Sequence, residues 1–218
     1  MADMARKQVG ILISGRGSNM AALIEAARAE TCTYEIACVI SNRPDAAGLQ
    51  TARQAGITTV ALDHKTLGTR DALDTAMHDA LLANRVDMVV CAGFMRIMTG
   101  GFIAKWEGRI INIHPSLLPL FKGVDTHEQA LQAGVRVHGC SVHFVSAELD
   151  AGAIIAQGVI KVMPGDDADA LAARVLPVEH RLYPSVLNAL AEGRIRLENG
   201  RAVFSDDEAA SLSTLGAS

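Results

Sequence analysis

No window of this 218-residue chain approaches the roughly 18 consecutive apolar residues of a membrane span. Near the N-terminus the apolar stretch Val9 to Ile13 is too short for the core of a signal peptide. Basic residues are not in excess, since the formal net charge is −4, so nothing global draws the chain to nucleic acid or to an anionic membrane. The four cysteines, Cys32, Cys38, Cys91 and Cys140, include no C-x-x-C pair, and two of them fall inside apolar runs. Buried thiols in a reducing compartment are expected from that pattern, rather than disulfides. Internal repeats and linker-like segments are lacking too. Half the residues are hydrophobic and a fifth are charged, the balance of a globular protein. A cytoplasmic protein is the expectation these absences leave.

What is present alternates. Short apolar runs at Val9–Ile13, Tyr34–Ile40, Ile57–Leu62, Val86–Ala92 and Arg109–Ile113 read as strands. Between them lie helical patterns: one that Ser18-Asn19 would cap, one over Asp45–Ala55 closed by Gly56, and one over Thr69–Asn84 with Leu73, Met77, Ala80 and Leu81 on its apolar face. Strands that are nearly all apolar, alternating with helices, predict a Rossmann-like α/β fold. Its twisted sheet would be mostly parallel, with helices on both faces. Such sheets bind ligands beyond the carboxyl ends of their strands. After residue 120 the pattern changes to two longer strands, Val135–Val145 and Ile154–Val162, expected to be antiparallel. A helix over Asp166–Leu190, interrupted at Pro177 and Pro184, follows. One domain is expected over residues 1–205, its phosphate-binding half at about 8–110 and its catalytic half at about 111–195. Residues 206–218 are expected to be a flexible tail.

The turn Ser14-Gly15-Arg16-Gly17-Ser18-Asn19 joins the first strand to the first helix. Glycines let the backbone approach an anion, and a helix N-terminus offers N–H groups and a favourable dipole. The spacing is not the dinucleotide fingerprint, because Met20 stands where a small residue is needed, nor does a Gly-Lys-Ser/Thr follow. A phosphate site and a plain tight turn both remain open on these residues. A nucleotide-binding dehydrogenase is disfavoured further by Ser41-Asn42 at the end of the second strand, where an acidic residue would be required.

Asn112 and His114 lie two apart at the end of a strand, so their side chains share a side. An amide donor beside an imidazole can stabilise an oxyanion while moving a proton, which suits acyl transfer without a covalent enzyme intermediate. Asp150, in the polar loop 146–152, is the candidate to orient and charge that imidazole. The alternative is that Asn112 makes a local turn bond and His114 is a satisfied polar residue. His138 and His143, five apart, would face opposite sides of a strand and do not converge on a metal, which needs three or four ligands. His143 reads as a core or supporting group, His127 as surface polar, and Cys140 as a buried thiol without a base. No metal is expected.

Four motifs occur together: Ile13-Ser14-Gly15-Arg16-Gly17-Ser18-Asn19, Ala92-Gly93-Phe94-Met95-Arg96-Ile97, Asn112-Ile113-His114-Pro115-Ser116-Leu117-Leu118-Pro119, and Ser141-Val142-His143-Phe144-Val145 with Leu149-Asp150. In that order and spacing they resemble the folate-dependent formyltransferases. Within these, the resemblance is to the glycinamide ribonucleotide transformylase (phosphoribosylglycinamide formyltransferase) family, over roughly residues 8–195. It implies formyl transfer from 10-formyltetrahydrofolate, a co-substrate, to the amine of glycinamide ribonucleotide in purine biosynthesis. It implies Asn112, His114 and Asp150 as the catalytic trio. Gly17, Ser18, Asn19, Gly93 and Glu179 would hold the ribonucleotide. Arg70, Met95, Arg96, Ile97, Met98, Asn112, Ser146, Ala147, Glu148, Leu149 and Asp150 would contact the folate. Small-molecule partners only, with a monomer or weak homodimer, are expected.

The chain departs from the family pattern at Lys122-Gly123-Val124-Asp125-Thr126-His127, where Pro-Gly-x-x-Thr-His is usual. It departs again at Asp150-Ala151-Gly152, where Asp-Gly-Gly is usual, and at Met98, where Leu is. Formyltetrahydrofolate hydrolases share the trio but carry His-His-Ser rather than His-Pro-Ser and an extra N-terminal regulatory domain. Methionyl-tRNA formyltransferases need a basic C-terminal domain. A non-catalytic ligand-binding regulator on the same sheet is the rival from another class.

Overall fold

A computed structural model describes residues 6–205. Its chain separates into two units, divided between Ile111 and Asn112. The tail expected at 206–218 lies outside the described residues.

The first unit carries β1 (Lys7–Ile13), α1 (Ser18–Ala26), β2 (Tyr34–Ser41), α2 (Ala47–Gln54), β3 (Thr58–Ala61), α3 (His64–Leu67), α4 (Arg70–Ala83), β4 (Met88–Cys91) and α5 (Gly100–Lys105). Its strands lie in the order β3-β2-β1-β4. All three pairings are parallel, with Ile11 opposite Val39 on one side and Val90 on the other. Burial on both faces explains the uninterrupted apolar runs: Ile11, Leu12, Ile13, Val39, Ile40, Val89 and Val90 are fully buried. Each such side chain removed from water contributes about 1.5–3 kcal/mol. Parallel pairing puts the carboxyl ends of all four strands at one edge, and the loops that follow them collect there.

β5 (Ile110–His114) crosses the division. The second unit continues with α6 (Thr126–Gln132), β6 (Val137–Phe144), β7 (Ile154–Lys161), α7 (Ala168–Ala191), β8 (Ile195–Glu198) and β9 (Arg201–Phe204). β6 and β7 pair antiparallel, with a register shift at Val142/His143, and β8 and β9 form a separate hairpin. The fold is therefore mixed α/β, mostly parallel, with antiparallel strands in the C-terminal half, as the sequence predicts.

Four local expectations need correction. Ser18 is the first helical residue of α1, not its cap. The cap is Gly17 at φ 71°, and no side chain caps the helix. α7 runs unbroken through Pro177 and Pro184. Pro177 is exposed and Pro184 half-buried. Water can therefore solvate the carbonyls that proline leaves unpaired, while Leu171, Val175, Val178, Leu182, Val186 and Leu187 hold the helix down by burial. The short helices α3 and α5 and the β8–β9 hairpin had no counterpart in the apolar pattern, being too brief to show a period. His127 is half-buried rather than surface, because its Nδ1 lies 3.1 Å from Nε2 of His138.

Among the described residues no helix is long and apolar enough to cross a membrane, and no group of three or more His, Cys, Asp or Glu could hold a metal ion. All four cysteines are free and buried. Burial pushes the Cys91 and Cys140 thiols up to about 12, for Cys140 with the nearby Glu179 carboxylate adding to the effect. Thiolate chemistry at Cys140 is thereby disfavoured.

Candidate functional site

In the first unit a cavity of about 960 Å³ opens at the carboxyl ends of the strands. Ser14 to Asn19 form one wall, and Asn42–Asp45, Asp63–Lys65, Ala92, Gly93, Met95 and Arg96 complete it. Gly17 turns the chain through the left-handed region, which a side chain disfavours, and so starts α1 with its first turn uncapped. Those N–H groups and the helix dipole favour an anion. The charged groups of the cavity divide in the same sense. Asp45 takes Arg43 in two bonds of 3.2 and 2.9 Å, and Asp63 caps α3 through the Lys65 amide at 2.9 Å. Both carboxyl groups are held below the usual carboxylate range, Asp45 by the Arg43 hydrogen bond and Asp63 by the Lys65 amide. Arg16, Lys65 and Arg96 add positive charge to the lining. The Gly17, Ser18, Asn19 and Gly93 of the sequence reading all line this cavity, as do Met95 and Arg96. Asn42, Arg43, His64 and Lys65 were not picked out from sequence. The third-strand run that ends at Leu62 pointed toward His64 and Lys65, but no motif marked them.

Other residues assigned to the folate by resemblance stand outside this cavity's lining. Arg70 opens α4 and is exposed. Ile97 is half-exposed and Met98 half-buried in the loop after β4, while Met95 in the same loop is 71% exposed.

In the second unit, β5 ends in Asn112-Ile113-His114, and β6 places His143 beside them. The Asn112 Nδ2 lies 3.2 Å from His143 Nε2. His143 Nδ1 lies 2.8 Å from the Phe144 carbonyl, which can only accept, so Nδ1 carries the proton and Nε2 accepts from the Asn112 amide. Burial depresses the His143 pKa, which keeps the ring in this neutral form. The result fixes which way the Asn112 amide points and leaves its second N–H for another acceptor.

His114 is 5% exposed. Its Nε2 is 2.9 Å from the Phe121 carbonyl and its Nδ1 is 3.5 Å from Asp150 Oδ2. The Phe121 carbonyl can only accept, so Nε2 carries a proton, and the Asp150 carboxylate stands beside Nδ1. Asp150 is itself placed by the Gly123 amide, which donates to Oδ2 at 2.9 Å, and its Oδ1 stands 3.9 Å from His143 Nε2. Asp150 has φ 48°, a left-handed conformation that aspartate tolerates better than most residues.

The loop departures from the family pattern are absorbed here. Gly152 passes so close to β6 that a Cβ would sit 1.8 Å from the Phe144 carbonyl oxygen, so glycine is required at 152. Ala151, exposed, meets no such demand. Lys122 reaches Glu148 at 3.4 Å on the surface. Ser146, Ala147, Glu148 and Leu149 form the outer face of this loop, with Leu149 52% exposed. Glu179 lies buried on α7. The sequence reading assigned His143 only a supporting place. The neighbouring of β5 and β6 in the sheet, which brings it to Asn112, is not written in either local sequence.

A mixed α/β protein with a glycine-lined, cation-rimmed pocket at its strand ends, and with an amide, imidazole and carboxylate held together in a buried cluster, is the class these features define. The chain belongs to the formyl transferase family, whose model matches residues 7–187. It is 44% identical over 192 residues to the phosphoribosylglycinamide formyltransferase of Escherichia coli (strain K12), covering 88% of this chain and 91% of that protein. It is 49% identical over 197 residues to the trifunctional purine biosynthetic protein adenosine-3 of Bos taurus. That match covers 90% of this chain but 20% of the relative, so the chain spans about a fifth of the length of that animal protein. Among solved structures, glycinamide ribonucleotide transformylase 1 from Symbiobacterium toebii superposes with a TM-score of 0.89 at 42% identity, covering 92% of this chain and 95% of that one.

Proposed function

We propose that this chain transfers the formyl group of 10-formyltetrahydrofolate to the amine of glycinamide ribonucleotide, as a phosphoribosylglycinamide formyltransferase of the cytoplasm working on small molecules without a metal. The observation that carries the reading is the placement of His114 between two acceptors, Phe121 O and Asp150, beside an Asn112 amide oriented by His143. The similarity to the E. coli enzyme over nearly the whole of both chains supports the substrates.

In the proposed reaction the amine nitrogen attacks the formyl carbon, a C–N bond forms, and the carbonyl oxygen becomes an oxyanion. The second N–H of Asn112 and the protonated ring of His114 donate to it. The Phe121 carbonyl is the acceptor that the oxyanion would replace on the ring. The attacking nitrogen then loses a proton, and N10 of the folate gains one as its bond to the carbon breaks. Products are formylglycinamide ribonucleotide and tetrahydrofolate, with no net proton change. Asp150 holds the ring charged and aligned through these steps. Gly17, Ser18, Asn19 and Gly93 hold the phosphate, Glu179 the glycinamide or sugar part, and the Met95–Met98 and Ser146–Asp150 segments the folate.

The test is purified protein with both substrates, following folate absorbance. Formyl transfer that requires the ribonucleotide is the expected result. Formate release without any amine would overturn the transferase reading in favour of a hydrolase.

A further inference from the structure

Four loops leave the strand ends of the first unit, and one chain of hydrogen bonds, buried at its centre and part-buried at its ends, crosses them in the spatial order of the strands. After β4, the Met95 amide donates to Ser14 Oγ at 2.8 Å. After β1, the Ser14 hydroxyl donates to Asn42 Oδ1 at 2.5 Å. After β2, the Asn42 carbonyl accepts from His64 Nδ1 at 2.7 Å and from the His64 amide at 3.3 Å, and His64 opens α3 after β3. A carbonyl cannot donate, so His64 Nδ1 bears the proton of that short contact. Ser14 is 5% exposed and Asn42 2%. Buried polar groups bonded in series hold a geometry firmly, because breaking one link leaves its neighbours unsatisfied without water to replace it.

We propose that Ser14, Asn42 and His64 are positioning residues that tie the glycine-rich loop to the Met95–Met98 loop, so that the two substrate affinities are set together. This rests on the functional reading above, in which the first loop takes the ribonucleotide phosphate and the second the folate. Ser14 is the joint. Its backbone begins the glycine-rich turn, its amide donates to the Gly93 carbonyl at 3.0 Å, and its hydroxyl receives Met95. Asn42 stops the hydroxyl from turning away, because it accepts the one proton that hydroxyl has to give. None of the three is proposed to touch the formyl group.

The experiment is steady-state kinetics on Ser14→Ala, Ser14→Thr, Asn42→Ala and the double variant Ser14→Ala/Asn42→Ala, with thermal melting alongside. Loss of one such buried bond is expected to raise the KM for glycinamide ribonucleotide and the KM for 10-formyltetrahydrofolate together, each about five- to tenfold, with kcat within about twofold. Ser14→Thr, which keeps the hydroxyl, is expected to restore both. The double variant is expected to be no worse than the worse single one, because both substitutions remove the same bond. A rise in only one KM, or a lower melting temperature with both KM values unchanged, would overturn the coupling while leaving the transferase reading intact. Should a Ser14 variant fail to fold, Asn42→Ala alone decides between these outcomes. Wild-type protein that transfers nothing would overturn the functional reading, and this inference with it.

Discussion

The glycine-rich pocket of the first unit and the histidine cluster of the second differ in what they use as equipment. The pocket works with backbone: an uncapped helix start, glycines in the left-handed region and a rim of arginine and lysine, all open to a cavity of about 960 Å³. The cluster works with side chains that are nearly sealed. His114 and His143 are 5% and 2% exposed, and each ring nitrogen of either faces a defined partner. An anion can be held by many weakly directed groups, because its charge is spread over several oxygens. Proton transfer and oxyanion stabilisation need one donor at one place, in surroundings of low dielectric. Damage to the first region should therefore appear in binding, and damage to the second in turnover.

The largest expected effect tests the second half of that statement. His114→Ala or Asn112→Ala is expected to lower kcat by at least ~100-fold, which is ~3 kcal/mol of barrier, while each KM moves little. Single-turnover rates together with a far-ultraviolet spectrum check it. A variant that retains near-normal turnover would remove that residue from the chemistry and erase the contrast between the two regions.

This contrast was only partly legible in the sequence. The sheet was, since Ile11, Leu12, Ile13, Val89 and Val90 sit in runs that only burial on both faces explains. Asn112 and His114 were legible as a pair sharing a side, and Asp150 as the carboxylate candidate of the polar loop 146–152. The third element of the cluster was not. His143 meets Asn112 because β6 lies next to β5 in the sheet, and the two residues are 31 apart in the chain, so no local pattern announces the contact. Asn42 and His64 were hidden for a related reason, because loops that converge after parallel strands are far apart in the chain. The continuity of α7 was misread because proline's local cost is visible in sequence, and the burial that outweighs it is not.

The next effect concerns the closed region's reliance on neutral histidine. Burial, with the like charge of His127 adding to it, pushes His138 down to about 4, and burial also lowers His127 and His143. In the unfolded chain a histidine titrates near 6.5. Between about pH 6.5 and about pH 4 the unfolded state therefore binds more protons than the folded one, and stability rises with pH through that window. Below about 4, His138 is protonated in both states and its contribution no longer changes. The loss from His138 on going from neutral pH to about 4 is at most about 3 kcal/mol. Urea denaturation midpoints across this range check it. A His138→Asn variant should flatten the profile between pH 4 and 6.5, and an unchanged slope would show that the pair is not what makes the region acid-sensitive.

The smallest effect tests the open region. Gly17→Ala places a methyl group on a residue at φ 71°, with its Cβ 3.1 Å from the end of the Met20 side chain. The left-handed backbone costs ~1–2 kcal/mol for alanine. The Met20 contact is relieved by a small shift of a flexible thioether. If the strain is relaxed by turning the loop, the first-turn N–H groups swing away from the place proposed for the ribonucleotide phosphate. The KM for the ribonucleotide then rises about tenfold, with kcat at saturation within about threefold. If the strain is instead retained, the melting temperature falls by several degrees and KM stays put. Measuring both quantities on the same protein separates the cases. A fall in kcat comparable to that of His114→Ala would contradict the division itself, because it would mean that the pocket's backbone takes part in the chemical step rather than in holding the substrate for it.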